Sequence, residues 1–257
     1  MELNKIKIAR TFKQSYINFN DPIDIIIPYF HETGSLSKCV ESIIQFCKNI
    51  NYKIWLINDG SESESVKFFF KPYENILTII NHSIQKGFAA AINTGIKNSF
   101  AEKKVIVHSD CYVDNIGWLN NLYFSFLNLQ KQKAGMVCSK TNNSGTKYAE
   151  LSDKELKNDL ILDKPYIPFY SVMFDLNLIK QCGFFKEYPY FGYEDEEYCF
   201  RIKKNGFKLG LSGESFINHH GGKTITSFLA KNPKLNKFIQ ENKDSCKKDI
   251  ITLMQSK

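Results

Sequence analysis

Two hydrophobic periods share this chain. Ile23 to Pro28 is an apolar, β-branched run, the pattern of a strand buried on both faces of a parallel sheet. From about Ser35, the residues Leu36, Cys39, Val40, Ile43, Ile44 and Cys47 recur at helical spacing and predict an amphipathic helix. Tyr52 to Ile57 reads as a second buried strand, ending in Asn58-Asp59-Gly60-Ser61. A short helix with Val66, Phe69 and Phe70 on its face stops before Pro72, and Ile76 to Ile80 gives a third strand. Gly87 opens a helix in which Phe88, Ala91, Ile92, Gly95 and Ile96 share a face. Val105 to Val107 is a fourth strand, a helix from about Gly117 presents Trp118, Leu119, Leu122 and Phe126, and Ala134 to Cys138 is a fifth strand. Strand and helix alternating with short connections predict an α/β fold: a mostly parallel central sheet, helices on both faces and right-handed crossovers.

The alternation breaks at Ser139. The stretch to Lys164 is polar and reads as a loop with one short helix, a candidate mobile lid. Strands follow at Tyr170 to Phe174, Phe207 to Leu211 and Phe216 to Asn218. Between the first two lies Tyr188 to Arg201, in which four consecutive carboxylates, Glu194 to Glu197, follow a loop of aromatics with Pro189 and Gly192. A helix is expected from Glu194, with Gly206 as its stop. Acidic residues suit the first turn of a helix, and Glu197 can pair with Arg201 at i,i+4. The functional alternative is that Glu194 or Asp195 is a general base at an aromatic-walled pocket. From Lys231 the chain is lysine-rich and helical in pattern, either solvated or docked on an anionic membrane surface.

With 43% hydrophobic residues, the 257-residue chain can bury a sizeable core. A net charge of +7 suits nucleic acid, an anionic surface or a phosphorylated substrate. Zinc-finger spacing and a long basic helix are both missing, so no nucleic acid partner is expected. The seven cysteines are scattered without CxxC spacing and read as buried thiols of a reducing compartment. Neither a signal-peptide core nor a run of roughly twenty apolar residues is present, so a cytoplasmic location is expected.

Ligands of open α/β sheets bind at the carboxyl ends of the strands. Tyr29, His31, Asp59 and His108-Ser109-Asp110 fall there. Neither G-x-G-x-x-G nor a P-loop occurs. Asp59 can accept from a nucleobase imide or a ribose hydroxyl, and an Asx turn accounts for it as well. Asp110 suits a metal or phosphate partner, or capping before Asn115. His219-His220 can offer an imidazole to a divalent ion beside Asp110, or be structural. Gly87 and its helix can present N–H groups to a diphosphate, or simply start a helix.

The order of these segments resembles the family 2 glycosyltransferases of the GT-A fold. The matching segments are Ile25-Ile26-Ile27-Pro28-Tyr29, Asn58-Asp59-Gly60-Ser61, Lys86 to Gly95, His108-Ser109-Asp110, Phe191 to Arg201 and His219 to Thr224. They span about residues 22 to 226, and the later half looks most like the rhamnosyltransferase-like branch. The resemblance implies an inverting enzyme that moves a sugar from a UDP- or dTDP-type donor to a saccharide or lipid-linked saccharide acceptor. Within it, 1–20 is an N-terminal extension, 21–138 the nucleotide-sugar half, 139–226 the acceptor half of the same domain, and 227–257 a basic tail with peripheral membrane contact.

By the same resemblance, Pro28 and Tyr29 line the nucleobase site and Asp59 recognises the base. Gly87, Asn93 and Ser109 lie near the diphosphate or ribose. Asp110, with His219 or His220, holds Mn²⁺ or Mg²⁺, and Asp195 is the catalytic base with Glu194 beside it. One departure stands out: the first position of the family's D-x-D motif is His108, which leaves the metal requirement open, with Asp114 a potential substitute. The rival reading is a sugar-nucleotide-binding module that has lost catalysis. A nucleotidyltransferase is excluded by the missing glycine- and arginine-rich loop after the first strand.

Overall fold

The computed structural model describes residues 19–31, 34–48, 50–62, 64–221 and 235–256. Most of the N-terminal extension, Gly222 to Thr224 of the last motif, and 231–234 and 257 of the tail lie outside them. In chain order the elements begin with β1 (Phe19–Tyr29), α1 (Gly34–Phe46), β2 (Ile50–Asn58), α2 (Glu64–Phe70), β3 (Leu77–Asn81) and α3 (Phe88–Asn98). There follow β4 (Lys103–Val107), β5 (Cys111–Tyr112), α4 (Trp118–Gln130), β6 (Ala134–Thr141), β7 (Leu160–Leu162) and β8 (Ser171–Asp175). The chain continues through α5 (Leu176–Cys182), α6 (Glu194–Lys204), β9 (Lys208–His219) and α7 (Leu235–Gln255).

The sheet runs β3-β2-β1-β4-β8-β6-β9-β5, with β7 on β9. Its first four strands are parallel, as the alternation predicts. β8 then enters antiparallel between β4 and β6, and β6 pairs parallel with β9. Both faces are covered, which is why the strands read as unbroken apolar runs. Ile23, Ile25 and Ile27 pack with α1, α2 and α4, whereas Ile26 faces the other way, towards α3, α5 and α6.

Three expectations change. Residues 139–164 are not a free lid: β6 continues to Thr141, Leu151 and Leu162 enter the core, and β7 pairs antiparallel with β9. The two strands read at 207–211 and 216–218 are one, because Gly213 and the buried Ser212 and Ser215 carry β9 through an irregular stretch. Finally, Phe69 is 42% exposed, so the face of α2 is Val66 and Phe70 alone.

At the amino ends of β1 and β4, Asp24 is buried and accepts from Trp55 Nε1 at 2.7 Å, Ala101 N at 2.6 Å and Lys104 Nζ at 2.8 Å. This ion pair ties three strands and the loop before β4 at the end away from the site. Among the described residues, no helix is long and apolar enough to cross a membrane.

Candidate active site

A cavity of about 390 Å³ opens where β1, β2 and β4 end. Pro28, Tyr29 and Asp59 line one side, and His108, Ser109 and Asp110 its floor. The opposite wall is Tyr190, Phe191 and Tyr193, followed by Glu194 and Asp195. Expected site residues from both halves of the chain therefore meet in one place, although Gly87, Asn93 and His220 do not line it. Tyr29 is almost wholly buried, and its hydroxyl has no hydrogen-bond partner within the protein.

His108, Asp110 and His219 bring their ligand atoms within 4.8 Å of one another. The short turn after β4 supplies the first two, and pairing of Cys111 with His219 brings in the third. His219 Nε2 is 3.3 Å from Asp110 Oδ1, while Nδ1 lies 2.7 Å from the Asn143 carbonyl. A proton on Nδ1 donates to that carbonyl and aims Nε2 at the cluster, the arrangement found behind metal-ligating histidines. Burial, then the charge of His219, pushes His108 down to about 4 against the pull of Asp110, so its imidazole is neutral and has a free lone pair. Burial disfavours the charge on Asp110, but the hydrogen bond from His219 and the two imidazoles hold it below its usual value. Burial likewise opposes a charge on His219, and its bond to Asp110 outweighs this and raises its pKa. Two imidazoles and one ionised carboxylate fit a divalent metal with positions left open for other ligands.

His220 is not part of this cluster. Its backbone N–H donates to the Asp110 carbonyl at 3.1 Å and its ring lies against Tyr112. Asp114 is exposed and accepts from Asn115 at 3.0 Å, outside the cluster too.

Across the cavity, Tyr193 caps α6 with φ +73°. Burial raises the pKa of Glu194, while hydrogen bonds from its own backbone N–H and that of Gly192 oppose the rise. Burial and then the Glu194 charge raise that of Asp195, whose Oδ1 accepts from Glu196 N at 2.9 Å. Asp195 keeps some contact with the cavity while being densely surrounded by protein atoms. Glu197 is not part of the pair: it makes the expected bond to Arg201, bidentate at 2.8 and 2.6 Å.

Two expected ligand contacts are instead internal braces. Asn93 is buried, donates to the Phe185 carbonyl at 2.8 Å and Glu187 Oε1 at 2.9 Å, and accepts from Phe185 N at 3.0 Å. Both N–H donors of its amide are therefore used within the protein. Gly87 N donates to Asp59 Oδ2 at 2.8 Å and Phe88 N to the Tyr190 carbonyl at 2.7 Å, so these N–H groups at the start of α3 are taken. A Cβ on Gly87 would stand 2.8 Å from the carbonyl oxygens of both Tyr188 and Tyr190. Glycine is needed here for the close approach of these backbone carbonyls.

Asp59 Oδ1 accepts from His82 Nδ1 at 2.9 Å and Lys86 N at 2.8 Å, so three internal donors hold the carboxylate. The turn itself is tied by Asn58, whose Oδ1 accepts from Ser61 N at 3.0 Å. Sequence reasoning missed Phe88, whose ring stands edge-on to His108, and Tyr166, which closes the cavity near Asp195. Phe88 sits beside a motif glycine and was readable as a lining residue; nothing marked Tyr166.

Residues 24–181 match the family model described as Glycosyl transferase family 2. The chain belongs to glycosyl transferase family 2. A curated relative, the glycosyltransferase GlyA of Streptococcus pneumoniae serotype 4 (strain ATCC BAA-334 / TIGR4), is 33% identical over 115 residues, 43% of this chain and 16% of the relative. This family 2 chain thus aligns with under one fifth of that protein's length.

Solved structures share the fold at low identity. GalNAc-T7 with UDP, GalNAc and Mn²⁺ superposes with a TM-score of 0.63 at 15% identity, over 77% of this chain and 43% of that one. The mannosyltransferase PcManGT from Pyrobaculum calidifontis, in complex with GDP-Man and Mn²⁺, gives 0.62 at 16% identity, over 78% and 57%. S. aureus TarS 1-349 gives 0.59 at 14% identity, over 78% and 61%. The fold is GT-A.

Proposed function

We propose that this chain transfers a sugar from a nucleoside-diphosphate sugar to an acceptor hydroxyl, with inversion at the anomeric carbon. The observation that carries the reading is one cavity holding a His-Asp-His cluster on its floor and the adjacent carboxylates of buried Glu194 and half-buried Asp195 in its facing wall. The half 21–138 is assigned to the donor and 139–226 to the acceptor.

Pro28 and Tyr29 flank the nucleobase, and Asp59 recognises it. A carboxylate has about four acceptor positions, and three are filled, so Oδ2 retains one for an imide N–H of a uracil- or thymine-type base. Ser109 lies beside the diphosphate. Asp195, with Glu194 beside it, takes the proton of the acceptor hydroxyl as its oxygen attacks the anomeric carbon from the face opposite the leaving diphosphate. Phe191 and Tyr193 exclude water and wall the acceptor, a saccharide or lipid-linked saccharide. A rhamnosyl-type donor rests on the motif resemblance alone.

His108, Asp110 and His219 would hold the metal, which when bound supplies Lewis-acid stabilisation of charge on the leaving diphosphate. Two imidazoles favour Mn²⁺ over Mg²⁺, which prefers oxygen ligands. Mn²⁺ also accompanies the sugar nucleotide or nucleotide in two of the structures that share the fold.

The outer face of α7 exposes Lys247, Lys248, Ile251 and Met254, which supports peripheral contact with an anionic membrane. Flotation with phosphatidylserine vesicles tests it: full-length chain that never floats removes the contact.

Thermal unfolding against UDP, dTDP and GDP sugars, each with Mn²⁺, Mg²⁺ or EDTA, tests the donor site, since a ligand of the native state raises the melting temperature. A rise with a UDP or dTDP compound that needs Mn²⁺ is expected. No rise with any nucleotide contradicts the reading.

A further inference from the structure

The wall that ends in Asp195 has an unusual backbone. Tyr190 has φ +64°, Gly192 +104° and Tyr193 +73°, left-handed conformations that side-chain-bearing residues rarely adopt. Such a loop keeps its shape only if its surroundings over-determine it.

The surroundings include α7. Asn242 is 2% exposed, and its Nδ2 donates to the carbonyl oxygens of Pro189 at 2.8 Å and Phe191 at 3.0 Å. Those two carbonyls flank Tyr190, so one amide spans the kink. One turn earlier on α7, Phe238 packs its ring on that of Tyr190, with centroids 5.0 Å apart. Two turns later, Asp249 accepts from the Tyr188 hydroxyl at 2.8 Å and Lys186 Nζ at 2.6 Å. From the other side, Phe88 N–H holds the Tyr190 carbonyl.

We infer that α7 is part of the active site and that Asn242 is a positioning residue, fixing the kink at Tyr190 and so the placement of Tyr193, Glu194 and Asp195. The lysine-rich tail is then neither a solvated helix nor solely a membrane anchor: its inner face sets the acceptor wall. The inference rests on Asp195 being the base. The chemistry is specific to an amide, because one uncharged nitrogen supplies both donors. An aspartate of the same shape supplies none and turns an acceptor towards two carbonyls.

The test uses the full chain and Asn242→Asp, with Asp249→Ala as a milder variant and Gln255→Ala, at an exposed position of the same helix, as control. Hydrogen–deuterium exchange is followed in peptides covering 186–198. In parallel, nucleoside diphosphate release is measured from UDP- and dTDP-sugars with Mn²⁺ and a panel of saccharides supplied to accept the sugar. Asn242→Asp is expected to speed exchange in 186–193 by about tenfold or more, with β1 and β4 unchanged. Its kcat should fall by about tenfold while KM for the sugar nucleotide stays within about threefold. Asp249→Ala should give the same pattern more weakly and Gln255→Ala neither effect. Unchanged exchange in both variants, or faster exchange with unaltered kcat, overturns the inference. A wild-type chain that releases no nucleotide refutes the transfer reading by itself, while exchange still decides whether α7 braces the loop.

Discussion

His219 lies between two acceptors, with Nε2 3.3 Å from Asp110 Oδ1 and Nδ1 2.7 Å from the Asn143 carbonyl. The Asn143 carbonyl fixes the ring, and the Asp110 side is where a cation would share the cluster. His219→Ala and Asp110→Ala should therefore abolish the Mn²⁺-dependent part of any nucleotide-induced stabilisation. His108→Asp, which restores a second carboxylate, should improve Mg²⁺ relative to Mn²⁺. Isothermal titration with each ion and UDP checks both. Full Mn²⁺ dependence in His219→Ala would remove His219 from the site.

Asp195 gives a pH prediction of definite sign. Burial and the Glu194 charge raise its pKa in the folded chain. The protonated form is thus the more stable one when folded. Its stabilisation is complete below the ordinary carboxylate value of about 4 and lost as pH rises through the raised value. Asp195→Asn should hence gain melting temperature over wild type as pH increases, even as it loses turnover. The wild-type rate should climb with pH beyond the ordinary carboxylate range, because the base must be ionised. A rate flat from weakly acidic to alkaline pH would deny Asp195 this role.

Gly87→Ala should disable the site without touching a ligand. The new Cβ would meet the Tyr188 and Tyr190 carbonyls at 2.8 Å, at a residue with φ +103°. The strain alone is about 1–3 kcal/mol. Thermal unfolding should show the loss, and turnover should fall further than stability explains because the aromatic wall is displaced.

Asp24→Ala probes the opposite end of the sheet. Removing it leaves Lys104, 0% exposed, without its partner at 2.8 Å, a loss of about 3–5 kcal/mol. Urea unfolding measures this. Mn²⁺-dependent nucleotide binding should survive wherever the variant remains folded.

The parallel half of the fold was legible because strands buried on both faces read as apolar runs and helices carry their stripes openly. β7 was not, since three residues declare a strand only through their partner on β9. The docking of α7 was hidden for another reason: its inner face is Asn242, Cys246 and Asp249, helical spacing written partly in polar residues. Motif order located His108, Asp110, His219 and Asp195 in one cavity. It gave no sign that Asn93 and Gly87 also brace the loop at 185–190, which lies about a hundred positions away, beyond any local pattern. Motif order only ranked His219 ahead of His220; the pairing with Cys111 brings the first ring to the floor and leaves its neighbour against Tyr112.

The most direct test of metal-assisted transfer is nucleoside diphosphate release from a panel of sugar nucleotides, with a panel of saccharides supplied to accept the sugar, by wild type and Asp195→Asn, with Mn²⁺ or EDTA. The expected result is release by wild type from a UDP- or dTDP-sugar that needs Mn²⁺, and a variant that binds the same donor without releasing nucleotide. Donor binding without release by wild type, or equal release by both proteins, would contradict the account.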